Sequence, residues 1–209
     1  MVREIIIASL LAAPATASNT TEITVLIFNY SASPSHFLEE AEREVSAIYK
    51  RVGVAIVWRN CAGFPDAPGI GSGICAQRLT SDGSVVALRI VDGLAIDPRN
   101  SYRDSANVLG YSTGAYATVS YERSWKVSVQ TGEARTHVLA CAIAHELGHV
   151  FLGTESHSRL GLMQVDAKSM LRSMRQGFTF SDAESARLAH YLSTHRPQDG
   201  SPTLARRKD

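Results

Sequence analysis

The chain lacks an excess of charge of either sign: 21 Lys and Arg stand against 20 Asp and Glu, for a net +1 over 209 residues. Nothing in that balance draws it to nucleic acid or to an anionic membrane surface. Its basic residues are scattered except for Arg206-Arg207-Lys208, which reads as a solvated end. Long hydrophobic runs are absent too. The longest, residues 5–13, falls well short of the roughly 20 residues needed to span a bilayer, so no stable membrane anchor is expected. Internal repeats and a second domain boundary are also missing. What remains is 44% hydrophobic content, enough for the core of one domain, and a monomer is expected.

The short apolar run has another reading. Arg3 precedes it and Ala15-Thr16-Ala17 follows, the order of a secretory signal with an A-x-A cleavage site. The expected organisation is a signal peptide over 1–17, a single domain over 18–195 and a disordered tail over 196–209, with the mature protein secreted or periplasmic. Cysteine usage agrees. Of only three cysteines, Cys61 and Cys75 flank a stretch rich in Gly and Pro that lacks regular hydrogen bonding, and a disulfide between them is expected. Cys141 reads as a small buried apolar residue.

In chain order, residues 23–28 are β-branched and apolar, a buried strand. A helix follows, with Ser35 as its cap and Phe37, Leu38, Ala41, Val45, Ile48, Tyr49 and Val52 as its apolar stripe, ending at Gly53. Residues 54–58 form a second strand, giving a βαβ unit with parallel strands. Residues 84–91 make a third strand between Asp-Gly turns. The segment 98–114 reads as a surface loop, and 115–121 as an exposed or edge strand able to pair with an extended peptide. After a helix over about 136–152, a capping box at Ser181-Asp182-Ala183-Glu184 opens a C-terminal helix.

That long helix carries the chemistry. It contains His145-Glu146-Leu147-Gly148-His149, H-E-x-x-H, in which residues four apart share one face, so both imidazoles can converge on one ion. Glu146 is adjacent to a ligand without being one, the position of a general base acting on a metal-bound water. A catalytic zinc has three protein ligands and an open position. Gly153 ends the helix and lets the chain reverse, which makes His157 the first choice for the third ligand. Glu155, Asp166 and Glu184 stay open, the last as in a gluzincin-type peptidase. His36, His137, His190 and His195 read as structural or surface residues.

These residues resemble the metzincin zinc metallopeptidases, whose signature is H-E-x-x-H-x-x-G-x-x-H followed by a methionine turn. His145, Glu146 and His149 match directly, and Met163 stands where the turn is expected. Gly153 comes one residue later than in that pattern and His157 two later. One extra helical residue turns the exit by about 100° and advances it about 1.5 Å, which the following loop must absorb. The resemblance implies an α/β (α+β) fold, with a mixed twisted sheet, one backing helix, an active-site helix and a C-terminal helix. It implies one catalytic Zn2+ and a peptide or protein substrate, with Glu146 as general base in a zinc metalloendopeptidase. Tyr111, Tyr116 or Tyr121 could assist the oxyanion. The other reading of the motif is a secreted, non-catalytic zinc-containing binding protein.

Overall fold

Five strands and five helices occupy the residues that the computed structural model describes, 21–61, 75, 79, 84–94, 108–154 and 156–194. The expected signal peptide over 1–17 and tail over 196–209 lie outside them. The chain opens with β1 (Thr21–Asn29), α1 (Ser35–Lys50) and β2 (Val54–Cys61), with β1 and β2 parallel. Next come β3 (Val85–Val91), β4 (Gly110–Thr113) and β5 (Tyr116–Ser120). The sheet order is β2-β1-β3-β5-β4, parallel throughout except that β4 runs antiparallel to β5. Four helices complete the chain: α2 (Tyr121–Thr131), α3 (Arg135–Leu152), α4 (Ala167–Arg175) and α5 (Asp182–Thr194).

The period-two geometry of a strand sends successive side chains to opposite faces, and β1 uses both. Ile23, Val25 and Ile27 enter the main core with α1 and α3, while Leu26 and Phe28 join Val85 and Ala87 in a smaller cluster on the other face. Tyr49 fastens α1 to α3. Its hydroxyl donates to the Ala144 carbonyl at 2.8 Å, and its ring meets Phe151 edge-on at 5.5 Å between centroids. Cys61 and Cys75 are joined by a disulfide with Cα atoms 5.7 Å apart.

Three local expectations change. Ser35 is the first residue of α1 and not its cap; Pro34 holds that place in extended conformation, with no side-chain cap. The stretch read as loop contains β4, and β4 is the edge strand. Residues 116–120 lie between β3 and β4 instead, with Ala117, Thr118, Val119 and Ser120 buried. Finally, α2 and α4 add two helices to those expected. Ser120 caps α2 through its hydroxyl, and Asp166 caps α4 through its carboxylate. Among the described residues, no helix is long and apolar enough to cross a membrane.

Candidate metal centre

Helix α3 is buried on nearly every side from Val138 to Phe151, as a helix that is apolar all round must be. Within that apolar rod the polar exceptions are His145, Glu146 and His149, which are only 8%, 5% and 8% exposed. Buried polar groups require partners. The His145 Nδ1 lies 2.8 Å from the Leu162 carbonyl oxygen, and the His149 Nδ1 lies 2.8 Å from that of Thr154. A carbonyl only accepts, so each Nδ1 carries the proton and each Nε2 is left with its lone pair.

The two Nε2 atoms face each other at 3.0 Å. Two lone pairs at that separation repel unless positive charge lies between them, and two tetrahedral ligands with bonds of about 2.05 Å would stand about 3.3 Å apart. The donor set therefore fits a small cation. Burial, then the neighbouring His149, lowers the His145 pKa to about 3, against the opposing pull of the Leu162 carbonyl. The imidazole is thus neutral at any ordinary pH, the form that ligates a metal.

Gly153 stops the helix in the left-handed conformation, with φ 60°, which a residue with a Cβ adopts only at a cost. The chain turns back there. His157, exposed, stacks on His145 at 5.3 Å between centroids and meets His149 edge-on at 4.8 Å. One ligand atom from each of the three histidines lies within 4.8 Å of the others. The stretched spacing from His149 to His157 is absorbed by this loop.

Two of the three carboxylates open for the third position, Asp166 and Glu184, are engaged elsewhere. Asp166 accepts the Ser169 amide at 2.8 Å as the α4 cap. Glu184 accepts the Ser181 amide at 2.7 Å while its own amide donates to the Ser181 hydroxyl at 3.3 Å, the expected capping box. Glu155 lies outside the described residues.

Two glycines, Gly148 and Gly110, shape the site. A Cβ on Gly148, between the two helical histidines, would stand 2.5 Å from the Met163 sulfur. Met163, wholly buried, therefore packs directly beneath the histidine pair, and the Leu162 carbonyl beside it holds His145. A Cβ on Gly110, the first residue of β4, would stand 2.7 Å from the Glu146 Cγ. Glycine inside a helix costs about 1 kcal/mol relative to alanine, so Gly148 within the motif was a readable sign of close approach. Gly110 gave no such sign in a stretch read as loop.

Beside the histidines a cleft of about 280 Å³ is lined by Ser112, Thr113 and Gly114 from the β4–β5 hairpin, and by His149, Val150, Gly153 and Thr154. Of the tyrosines considered, Tyr111 follows Gly110 on β4, Tyr116 lies under the Arg89 guanidinium at 4.8 Å, and Tyr121 is buried at the start of α2. His36 packs on Phe37, His190 is exposed on α5, and His137 bonds to Glu44. His195 is outside the described residues.

No family model matches the sequence, and no curated protein matches it. Solved structures share the fold. One is a zinc-dependent peptidase from Methanocorpusculum labreanum, with a TM-score of 0.54 at 15% identity over 78% of this chain and 99% of that one. Another is archaemetzincin from Methanopyrus kandleri, also 0.54 at 15% identity, over 87% of this chain and 99% of that one. At this identity the likeness is one of fold: a mixed sheet with helices, spanning nearly the whole of each neighbour.

Proposed function

We propose that this chain is a zinc-dependent metallopeptidase in which His145, His149 and His157 hold one zinc ion and Glu146 is the general base. The observation that carries the reading is the convergence of His157, from beyond the helix, on the two helical imidazoles. The shared fold with two zinc-peptidase structures supports it. Zinc bound by three neutral imidazoles supplies Lewis acidity, lowering the pKa of a coordinated water toward about 7 and polarising a carbonyl.

The remaining work falls to the protein. Glu146 takes the proton of the attacking water and passes it to the nitrogen of the departing amine. Its carbon chain is held against Gly110, so the carboxylate is aimed by packing. Strand β4 ends the sheet order and its Ser112 and Thr113 line the cleft, the position from which an extended peptide is received as an added strand. The apolar run 5–13, the A-x-A site after it and the Cys61–Cys75 bond support action after export.

Purified protein should cleave a mixed peptide library, lose that activity to a chelator and regain it with zinc. Glu146→Gln should keep the zinc and slow cleavage by about 10² to 10⁴-fold, the usual worth of a general base. Cleavage by Glu146→Gln at the wild-type rate would contradict the assigned role. A zinc-loaded wild type that cleaves nothing would favour the non-catalytic binding protein.

A further inference from the structure

Helix α3 carries a second pair of ligand-type residues at the same spacing. His137, Cys141, His145 and His149 follow one another every four residues, and each such step advances about 6 Å and turns about 40°. The pair His137 and Cys141 is therefore displaced by about 12 Å and 80° from the pair His145 and His149. That places it on another flank of the helix, where α1 supplies a third group. The His137 Nδ1 is hydrogen-bonded to the Glu44 Oε1, and the His137 Nε2 lies 3.7 Å from the Cys141 Sγ.

We propose that Glu44, His137 and Cys141 form a second metal site, taking a thiophilic divalent ion such as zinc between α1 and α3. One ligand atom from each residue lies within 4.8 Å of the other two. A tetrahedral ion with bonds of about 2.3 Å to sulfur and 2.0 Å to nitrogen holds a sulfur and a nitrogen ligand about 3.5 Å apart, close to the 3.7 Å between the Cys141 Sγ and the His137 Nε2. The three donor types, thiolate, imidazole and carboxylate, are those that bind zinc.

The same three residues in line also suggest a cysteine nucleophile with a histidine base. Burial excludes it. Cys141 has no exposed surface, so no acyl group can reach its sulfur, whereas a small ion can enter past the partly exposed Glu44 and His137 side chains, at 32% and 25%. Burial also pushes the Cys141 thiol well above its usual pKa. A thiolate there needs a compensating positive charge, and a divalent ion provides it as the thiol proton leaves to solvent. Because Cys141 lies one turn before His145, an ion in this site would brace the helix that carries the peptidase motif.

The site can be read by cobalt(II) titration of the chelator-treated full chain. Only three cysteines are present, and Cys61 and Cys75 are bonded to each other. Any thiolate-to-cobalt charge-transfer band in the near ultraviolet therefore comes from Cys141. Wild type is expected to take two equivalents and show the band. His149→Ala should keep the band with one equivalent, and Cys141→Ser should lose the band and keep one equivalent. His137→Asn, at a partly exposed position, should weaken the band-forming step by at least about tenfold.

One equivalent without the band in wild type would overturn the proposal, leaving Glu44 and His137 as a tie between helices. So would a band that persists in Cys141→Ser. One equivalent with the band would uphold this site and remove the three-imidazole reading, so the two proposals fail separately.

Discussion

Gly110 and Glu146 are in contact so close that a methyl group at Gly110 would stand 2.7 Å from the Glu146 Cγ and 2.9 Å from its Oε1. The edge strand and the Glu146 side chain are therefore positioned by each other. Gly110→Ala must displace one of them, because the Thr118 carbonyl on the neighbouring strand would stand 2.5 Å from the new Cβ and cannot yield. The expected outcome is a fall in kcat of at least about tenfold, or 1.4 kcal/mol in activation free energy, with zinc content unchanged. Steady-state kinetics beside metal analysis check it. Full activity in Gly110→Ala would show that Glu146 is not aimed by this contact.

Beneath the histidines the same logic applies to Gly148 and Met163. Gly148→Ala overpacks the Met163 sulfur and should cost about 1–3 kcal/mol. Met163→Leu, near in volume, should cost less than about 1.5 kcal/mol, and Met163→Ala about 2–5 kcal/mol for the cavity left. Urea unfolding of the metal-free protein measures these without the contribution of bound zinc. A neutral Gly148→Ala would mean that the methionine does not fill the space between the two histidines.

Glu42 sets a pH dependence unrelated to the metal. Burial, then the nearby Glu39, raises its pKa from 4.5 to about 7, against the pull of Arg43. Its Oε1 is buried without a hydrogen-bond partner among the described residues. A raised carboxylate pKa means that the folded state binds the proton more tightly, so stability is full below about 4.5 and falls as pH rises from there through about 7. Discounted for its half-exposed position, the loss is on the order of 1–2 kcal/mol. Glu42→Gln should remove that slope and be more stable than wild type at pH 8, measured by unfolding across the range. An unchanged slope would place the proton elsewhere.

Much of this arrangement was legible in the sequence, and the exceptions share a cause. The strands β1, β2 and β3 and the helices α1, α3 and α5 declare themselves by apolar runs or stripes because large hydrophobic side chains build them. Helix α2 does not. Its buried positions include Ser124 and Ser128, whose hydroxyls bond to the carbonyls of Ser120 and Trp125 at 2.8 Å. Hydroxyls satisfied within the helix let serine occupy positions that periodicity reserves for apolar residues. The available signals were the Ser120 cap and Gly132, which ends the helix at φ 74°. Strand β4, four residues with Ser112 and Thr113 among them, was hidden because an edge strand is largely held by backbone pairing with β5.

At the metal centre the helical pair was legible because a four-residue spacing on one helix fixes geometry without knowledge of the rest of the fold. His157 was less so, since its approach depends on the left-handed turn at Gly153 and on a loop longer than the metzincin pattern. That Asp166 and Glu184 serve as helix caps depends on partners within their own local turns, which compete with any role on the metal.

Zinc affinity with and without His157 is the most direct test of the three-imidazole centre, and a Cys141→Ser background removes any contribution from the second cluster. Competition titration of Cys141→Ser against Cys141→Ser/His157→Ala, with Cys141→Ser/Glu184→Ala alongside, measures it. His157→Ala should weaken binding by at least about 10²-fold, 2.7 kcal/mol, and Glu184→Ala should leave it unchanged. Undiminished affinity in His157→Ala, with loss in Glu184→Ala, would put Glu184 in place of His157 as the third ligand.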